Sequence, residues 1–190
     1  GYMSTERIFK EAQESGFFDT ISIKNEYDIR EFIEKHKDFI INNKPGYGRW
    51  IWKPKIILDT LESIDEGDFL IYTDAGSYIN KHGRQRFEEY LSLLDDDKPF
   101  GVFSTSPKYS VKQYVKRDAI MHYYPEFDVQ ENFTYQYAGI MIIKKNIFSL
   151  KVIKEWKNLC ENYSYLDTSK SKKFKERKFY CGNDSDAGLF

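Results

Sequence analysis

Strand-like runs alternating with amphipathic helices predict an α/β domain, with a mainly parallel sheet covered by helices on both faces. Three observations carry this. The stretch "GDFLIYTDAG" (67–76) runs apolar and aromatic residues out of a Gly-Asp turn and stops on Asp74. A second apolar run, "YQYAGIMIIKK" (135–145), is the most strand-like of the later segments. Between and after them, "HGRQRFEEYLSLLDDD" and "NIFSLKVIKEWKNLCENY" carry helical patterning. In such sheets ligands sit at the carboxyl ends of strands, and Asp74 stands at one.

The remaining elements follow in chain order. "STERIFKEAQESG" reads as a helix that Ser4 or Thr5 caps, with Ile8, Phe9 and Ala12 on one face and Gly16 at its end. "FFDTISI" (17–23) reads as a strand. "NEYDIREFIEKHKDFIINN" (25–43) reads as one amphipathic helix, whose stripe is Ile29, Phe32, Ile33, His36 and Ile40. His36 on that stripe reads as a packed or partly exposed helix residue rather than a ligand. "KPGYGRWIW" is turn-forming, and "KPKIILDTLESI" follows as a helix with Pro54 at its first position. "FGVFST" reads as a strand and "SVKQYVKRDAIMHYY" as a helix with an irregular start. "DTSKSKKFKERK" (167–178) is a charged loop, either solvated or lying with its lysines over a phosphate.

The length of 190 residues suits a single domain, able to bury about two-thirds of the surface its unfolded chain would expose. Charge is balanced, 29 Lys+Arg against 30 Asp+Glu, so bulk electrostatics predicts neither a nucleic-acid nor a membrane-surface binder, and any anionic ligand must be held locally. Two cysteines without a CxxC or Cys/His cluster argue against a disulfide scaffold, a zinc site or a thioredoxin-like centre. No apolar run approaches the roughly 20 residues that span a bilayer, and no basic-then-apolar leader is seen. These features predict a cytoplasmic protein without a transmembrane segment.

Three short segments can carry chemistry. A carboxylate at a strand end, Asp74, followed by the small residues Ala75 and Gly76, lets a cation and a diphosphate approach closely, although Asp-Ala-Gly is also an ordinary turn. Lys53 precedes Pro54 at a helix N-terminus, where free N–H groups and the helix dipole favour an anion. The alternative is a surface lysine beside a proline cap, with Trp50 and Trp52 packed in the core. In "GNDSDAG" (182–188), Asp184 and Asp186 suit a cation ligand and a nucleophile or electrostatic stabiliser, or equally a helix cap. GxGxxG, GxxxxGK[ST] and GxSxG are all missing, which disfavours kinase, Rossmann dehydrogenase and acyl-transfer readings.

The segments "GYGRWIWKPKIILDTLESIDEGDFLIYTDAGSYIN", "YQYAGIMIIKKN" and "NDSDAGLF" resemble nucleotide-sugar glycosyltransferases of the GT-A fold. The likeness is to small bacterial and viral members with a Gly-Tyr-Gly-x-Trp-x-Trp-Lys-Pro segment and a Tyr-x-Asp-Ala-Gly strand end. It spans residues 7–190. The resemblance implies transfer of a sugar from a nucleotide-sugar donor, a UDP-sugar above all, to a glycan or lipid-linked acceptor, with no nucleic-acid partner. In the family an Asp-x-Asp motif at a strand end binds a divalent cation, Mn²⁺ or Mg²⁺, and the donor diphosphate. Asp74 resembles its first aspartate, and Gly76 stands where the second would be, which leaves the cation site weaker or completed by another carboxylate or water.

The same resemblance implies that Lys53, with Ala75 and Gly76, approaches the donor phosphates, and that Tyr137, Ala138 and Gly139 lie near sugar and acceptor. It places Asp184 as nucleophile or oxocarbenium stabiliser, with Asp186 beside it. An inverting enzyme would instead use a carboxylate as base on the acceptor hydroxyl, for which Asp184, Asp186 and Asp118 are candidates. The family fold opens with a strand whereas this chain enters a helix at once, so the resemblance leads to the expectation of a catalytic domain truncated at one or both ends. The rival expectations are a sugar nucleotidyltransferase, and a nucleotide-sugar or glycan binding module without turnover.

Overall fold

The first helix, Tyr2–Ser15, buries Ile8 and Ala12 on one face and ends at Gly16, whose φ of +63° a side chain would resist. A computed structural model describes residues 2–104, 110–123, 134–183 and 186–190 of the chain. The expected strand at 17–23 does not form. Phe17 and Phe18 instead pack on Phe87 of helix Arg84–Ser92, each at 5.5 Å between ring centroids, and Arg84 Nη2 donates to Gly16 O at 2.5 Å. The apolar residues that suggested a strand are spent on a helix contact.

The amphipathic segment that follows is two short helices, Arg30–Lys35 and Lys37–Asn42, rather than one. The break is a single residue, His36, at φ −105° and ψ 12°. The stripe it interrupts is nonetheless buried at Ile29, Phe32, His36, Phe39 and Ile40. Helical hydrogen bonding runs through the break, from His36 N to Phe32 O and from Ile40 N to His36 O.

Three described strands form the sheet: β1 (Phe69–Thr73), β2 (Phe100–Ser104) and β3 (Gln136–Lys144), in the order β1-β3-β2. Both pairings are antiparallel, which corrects the expectation of a mainly parallel sheet for the described strands. The direction of β3 is the reason. It lies between two strands that run the same way and is itself reversed, and an apolar run buried on both faces reads alike in either direction. The domain is α/β in content, with a small antiparallel sheet and helices.

Helix Lys53–Ser63 packs on β1 and along helix Ile147–Glu161, joining Ile56, Ile57, Leu58 and Leu61 to Ile153, Trp156, Leu159 and Cys160 in one buried cluster. The second helix starts on a reciprocal cap: Ser149 N donates to Asn146 Oδ1 at 2.7 Å and Asn146 N to Ser149 Oγ at 2.9 Å. Against β2, the register of β3 jumps from Tyr137 opposite Phe103 to Met141 opposite Val102, leaving Ala138, Gly139 and Ile140 without a counterpart there. Bulges of this kind re-aim backbone groups and occur beside binding sites.

A candidate donor site at the end of the first strand

Gly46, Tyr47, Gly48, Arg49 and Trp50 all have positive φ, between 53° and 84°, so the chain makes a left-handed turn just before helix Lys53–Ser63. A Cβ on Gly46 would fall 2.3 Å from the Trp50 ring, and one on Gly48 would fall 2.7 Å from Ile40 Cγ1. The three non-glycine residues each carry roughly 1–2 kcal/mol of backbone strain. Such strain persists where the surroundings over-determine it, and it clusters at functional sites. Here the turn reverses the chain so that Arg49 and Lys53 both point toward the C-terminal segment. Arg49 Nη2 donates to Asn183 O at 2.5 Å, while Asn183 Nδ2 donates to the carbonyls of Tyr165 and Leu166, both at 2.9 Å.

Lys53 is only 4 % exposed. Its Nζ donates to Ala138 O at 3.1 Å and lies 3.4 Å from Asp74 Oδ1 and 3.8 Å from Asp186 Oδ2. The bulge in β3 is what presents the Ala138 carbonyl, and Trp156 Nε1 holds the Asp186 carbonyl at 3.0 Å. An ammonium in so little water needs such partners, because an unpaired buried charge is costly. The ammonium therefore faces inward, onto two carboxylates, rather than outward beside the Pro54 helix start.

Asp74 follows β1, and its backbone N–H donates to Gly139 O at 2.8 Å. Tyr72, two residues earlier and so on the same face of the strand, donates its phenol proton to Asp74 Oδ1 at 2.6 Å. Burial, and then the Asp74 charge, push the Tyr72 phenol far above its ordinary range, so it remains a neutral donor. The Asp74 side chain is half-buried, and Gly76 lies in the open, with nothing within 4 Å of where a Cβ would stand.

The loop after Asp74 is held from the first helix. Arg7 Nη2 donates to Ala75 O at 3.1 Å and to Ser77 O at 2.9 Å, and Glu11 Oε2 accepts from Ile79 N at 2.9 Å. The Arg7 guanidinium also stacks 3.7 Å from the Tyr78 ring centroid. On the other side, Tyr137 is 45 % exposed, with its ring folded back over Gly139; a Cβ there would fall 2.2 Å from Tyr137 Cζ.

Of the residues singled out in the sequence, the structure brings together Lys53, Asp74, Asp186 and the backbone of Ala138 and Gly139, with Ala75, Gly76 and Tyr137 around them. Asp184 lies outside the described residues. Asp118 is elsewhere: its carboxylate accepts from the backbone N–H groups of Lys172, Lys173 and Phe174, at 2.7 to 3.2 Å, which makes it the anchor of the lysine-rich loop and not a base at this site. Tyr72, Arg7, Glu11, Arg49 and Asn183 are partners that sequence reasoning passes over. Of these only Tyr72 carried a signal, its two-residue spacing from Asp74.

Cys160 is buried in the core near this cluster, and burial, with Asp186 and Glu161 nearby, pushes its thiol upward, which keeps it protonated and inert. Among the described residues no group of three or more His, Cys, Asp or Glu side chains gathers into a ligand set for a metal ion. No described helix is long and apolar enough to cross a membrane. Comparison with protein-family models, with curated proteins and with solved structures gives no match to this chain.

Proposed function

We propose that the domain binds a nucleotide-sugar at the end of β1 and transfers its sugar to a glycan or lipid-linked acceptor, as a GT-A-like glycosyltransferase with a UDP-sugar as the preferred donor. One observation supports this above the others. The Trp-Lys-Pro, Asp-Ala-Gly and Asn-Asp-Ser-Asp segments, picked out separately and lying far apart in sequence, supply Lys53, Asp74 and Asp186 to a single cluster, with 3.4 and 3.8 Å between the ammonium and the two carboxylates.

The chemistry of the reaction matches these residue types. Departure of a nucleoside diphosphate from an anomeric carbon builds negative charge on the phosphate and positive charge on the sugar. Tyr72 and Lys53 both lie on Asp74 Oδ1, and the Asp74 side chain keeps 30 % of its exposure. Gly76 leaves room for a diphosphate to approach the backbone. Such a donor set suits a Mn²⁺ or Mg²⁺ ion held by one carboxylate, with water and the donor phosphates as its other ligands. When bound, the ion neutralises charge on the departing diphosphate.

Asp186, only 1 % exposed, acts in this reading by fixing Lys53 beneath Asp74 rather than by touching the sugar. The nucleophile or oxocarbenium stabiliser in this reading is Asp184, and the exposed ring of Tyr137 offers an apolar face to donor or acceptor. The test is release of UDP from UDP-glucose with Mn²⁺, compared between the protein and its Asp74→Asn variant. Turnover that falls at least about a hundredfold in the variant supports the reading. Binding without any turnover, across donors and acceptors, would instead favour a non-catalytic nucleotide-sugar binding module.

A further inference from the structure

We infer that the lysine-rich loop at 170–179 docks the domain on an anionic phospholipid surface. Lys170, Lys172, Lys173, Lys175 and Lys178 are all exposed, and none has a carboxylate within ion-pair distance among the described residues. On a chain whose formal net charge is −1, this is a local cationic patch that bulk composition conceals.

The loop is built, not merely solvated. Its acids are turned inward onto backbone: Asp118 takes the N–H groups of Lys172, Lys173 and Phe174, and Glu176 takes those of Ser171 and Arg117. Arg177 Nη2 donates to Val115 O at 3.1 Å, and Lys116 pairs with Asp167 at the base of the loop. Asp118 and Glu176 thus shape the loop through its backbone, with Asp118 also feeling the Lys173 charge. Five lysines against these two acids leave the loop cationic and without an ion pair at any of the five ammonium groups among the described residues.

Two aromatic rings interleave with those lysines. Phe174 is 39 % and Phe179 is 60 % exposed, with the ammonium groups of Lys112 and Lys178 each 5.9 Å from the Phe179 ring. Purely electrostatic recognition of a polyanion needs no exposed phenylalanine. Lysines with aromatic side chains between them match the headgroup region of a bilayer, where the charges meet anionic lipid and the rings enter the acyl boundary. Docking of this kind would bring the domain to a lipid-linked acceptor, but it stands on the loop alone and does not need the donor-site reading.

The experiment is sedimentation of the protein with vesicles of phosphatidylcholine alone, and of phosphatidylcholine with phosphatidylserine. Binding is expected only to the anionic vesicles, weakening as salt rises. Lys172→Glu combined with Lys173→Glu should lower partitioning by about tenfold or more, and Phe179→Ala by several-fold, both with unchanged circular dichroism. Equal binding to both vesicles, binding to neither, or partitioning that the charge reversal leaves intact would overturn the inference. Binding of a single-stranded oligonucleotide in place of vesicles would overturn it too, by assigning the patch to nucleic acid. UDP binding by the same variants, measured separately, is expected to be unchanged, so failure of docking and failure of the donor site are told apart.

Discussion

Lys53 Nζ sits 3.4 Å from Asp74 Oδ1 and 3.8 Å from Asp186 Oδ2, almost out of contact with water. The two pairs differ in kind, because the Asp74 side chain retains 30 % of its exposure and the Asp186 side chain only 1 %. Replacement of Lys53 by Met should destabilise the fold by about 3 kcal/mol, because it removes the buried ammonium that both carboxylates face. Adding Asp186→Asn should recover part of that loss. Denaturant unfolding measures both, and a single-variant loss under about 1 kcal/mol would contradict the pairing.

The left-handed turn gives a contrast between glycines. Gly48→Ala meets both a positive φ and Ile40, and should cost about 2 kcal/mol or more. Gly76→Ala, with open space around it and no positive φ, should change stability by less than about 0.5 kcal/mol. Thermal unfolding of the two variants side by side tests whether strain at 46–50 is real, and equal effects would refute it.

Gly76 also permits a gain of function. A side chain placed there meets nothing within 4 Å, so Gly76→Asp should fold normally and add a second carboxylate beside Asp74. Mn²⁺ affinity in the presence of UDP should rise by about tenfold, since affinity for hard cations follows the number of charged ligands. Calorimetry reads it directly, and unchanged affinity would count against a cation held by Asp74.

His36 predicts a pH response. Burial lowers its pKa below the ordinary 6.5, against the opposing pull of Glu161 and with Lys35 and Lys157 adding to the lowering; Tyr163 OH lies 2.6 Å from its Nδ1. The folded state thus favours neutral imidazole, while the unfolded chain protonates near 6.5. Stability from this residue is complete above that pH and is lost as the pH falls below it toward the lower folded value. His36→Gln should flatten the stability curve just below pH 6.5, and a curve identical in slope to that of the parent protein would contradict the account.

How far the molecule was legible in its sequence depends on the kind of information each feature needs. Helices Tyr2–Ser15, Lys53–Ser63 and Ile147–Glu161, and strands β1 and β3, follow from local periodicity, capping residues and turn signals. Strand direction does not, because no local feature of "AGIMII" says that β3 is inserted in reverse between β1 and β2. The glycines of "KPGYG" announced a turn. Its extension through Arg49 and Trp50 did not show, since those residues disfavour the conformation they adopt. Asp74 was legible as a strand-end carboxylate, and Lys53 as a neighbour of the same site. That the ammonium points inward was not, because it depends on the Ala138 carbonyl exposed by a bulge 85 residues away. Arg7 and Glu11, clasping the loop after Asp74 from the first helix, gave no sequence signal.

If the carboxylate at the end of β1 serves a nucleotide-sugar, donor binding must depend on it. Calorimetric titration with UDP and UDP-glucose, each with and without Mn²⁺, on the protein and on Asp74→Ala, tests it most directly. Metal-enhanced binding by the parent protein is expected, with a loss of about tenfold or more in the variant and circular dichroism unchanged. Absence of binding by the folded parent protein, or equal affinity in Asp74→Ala, would contradict it.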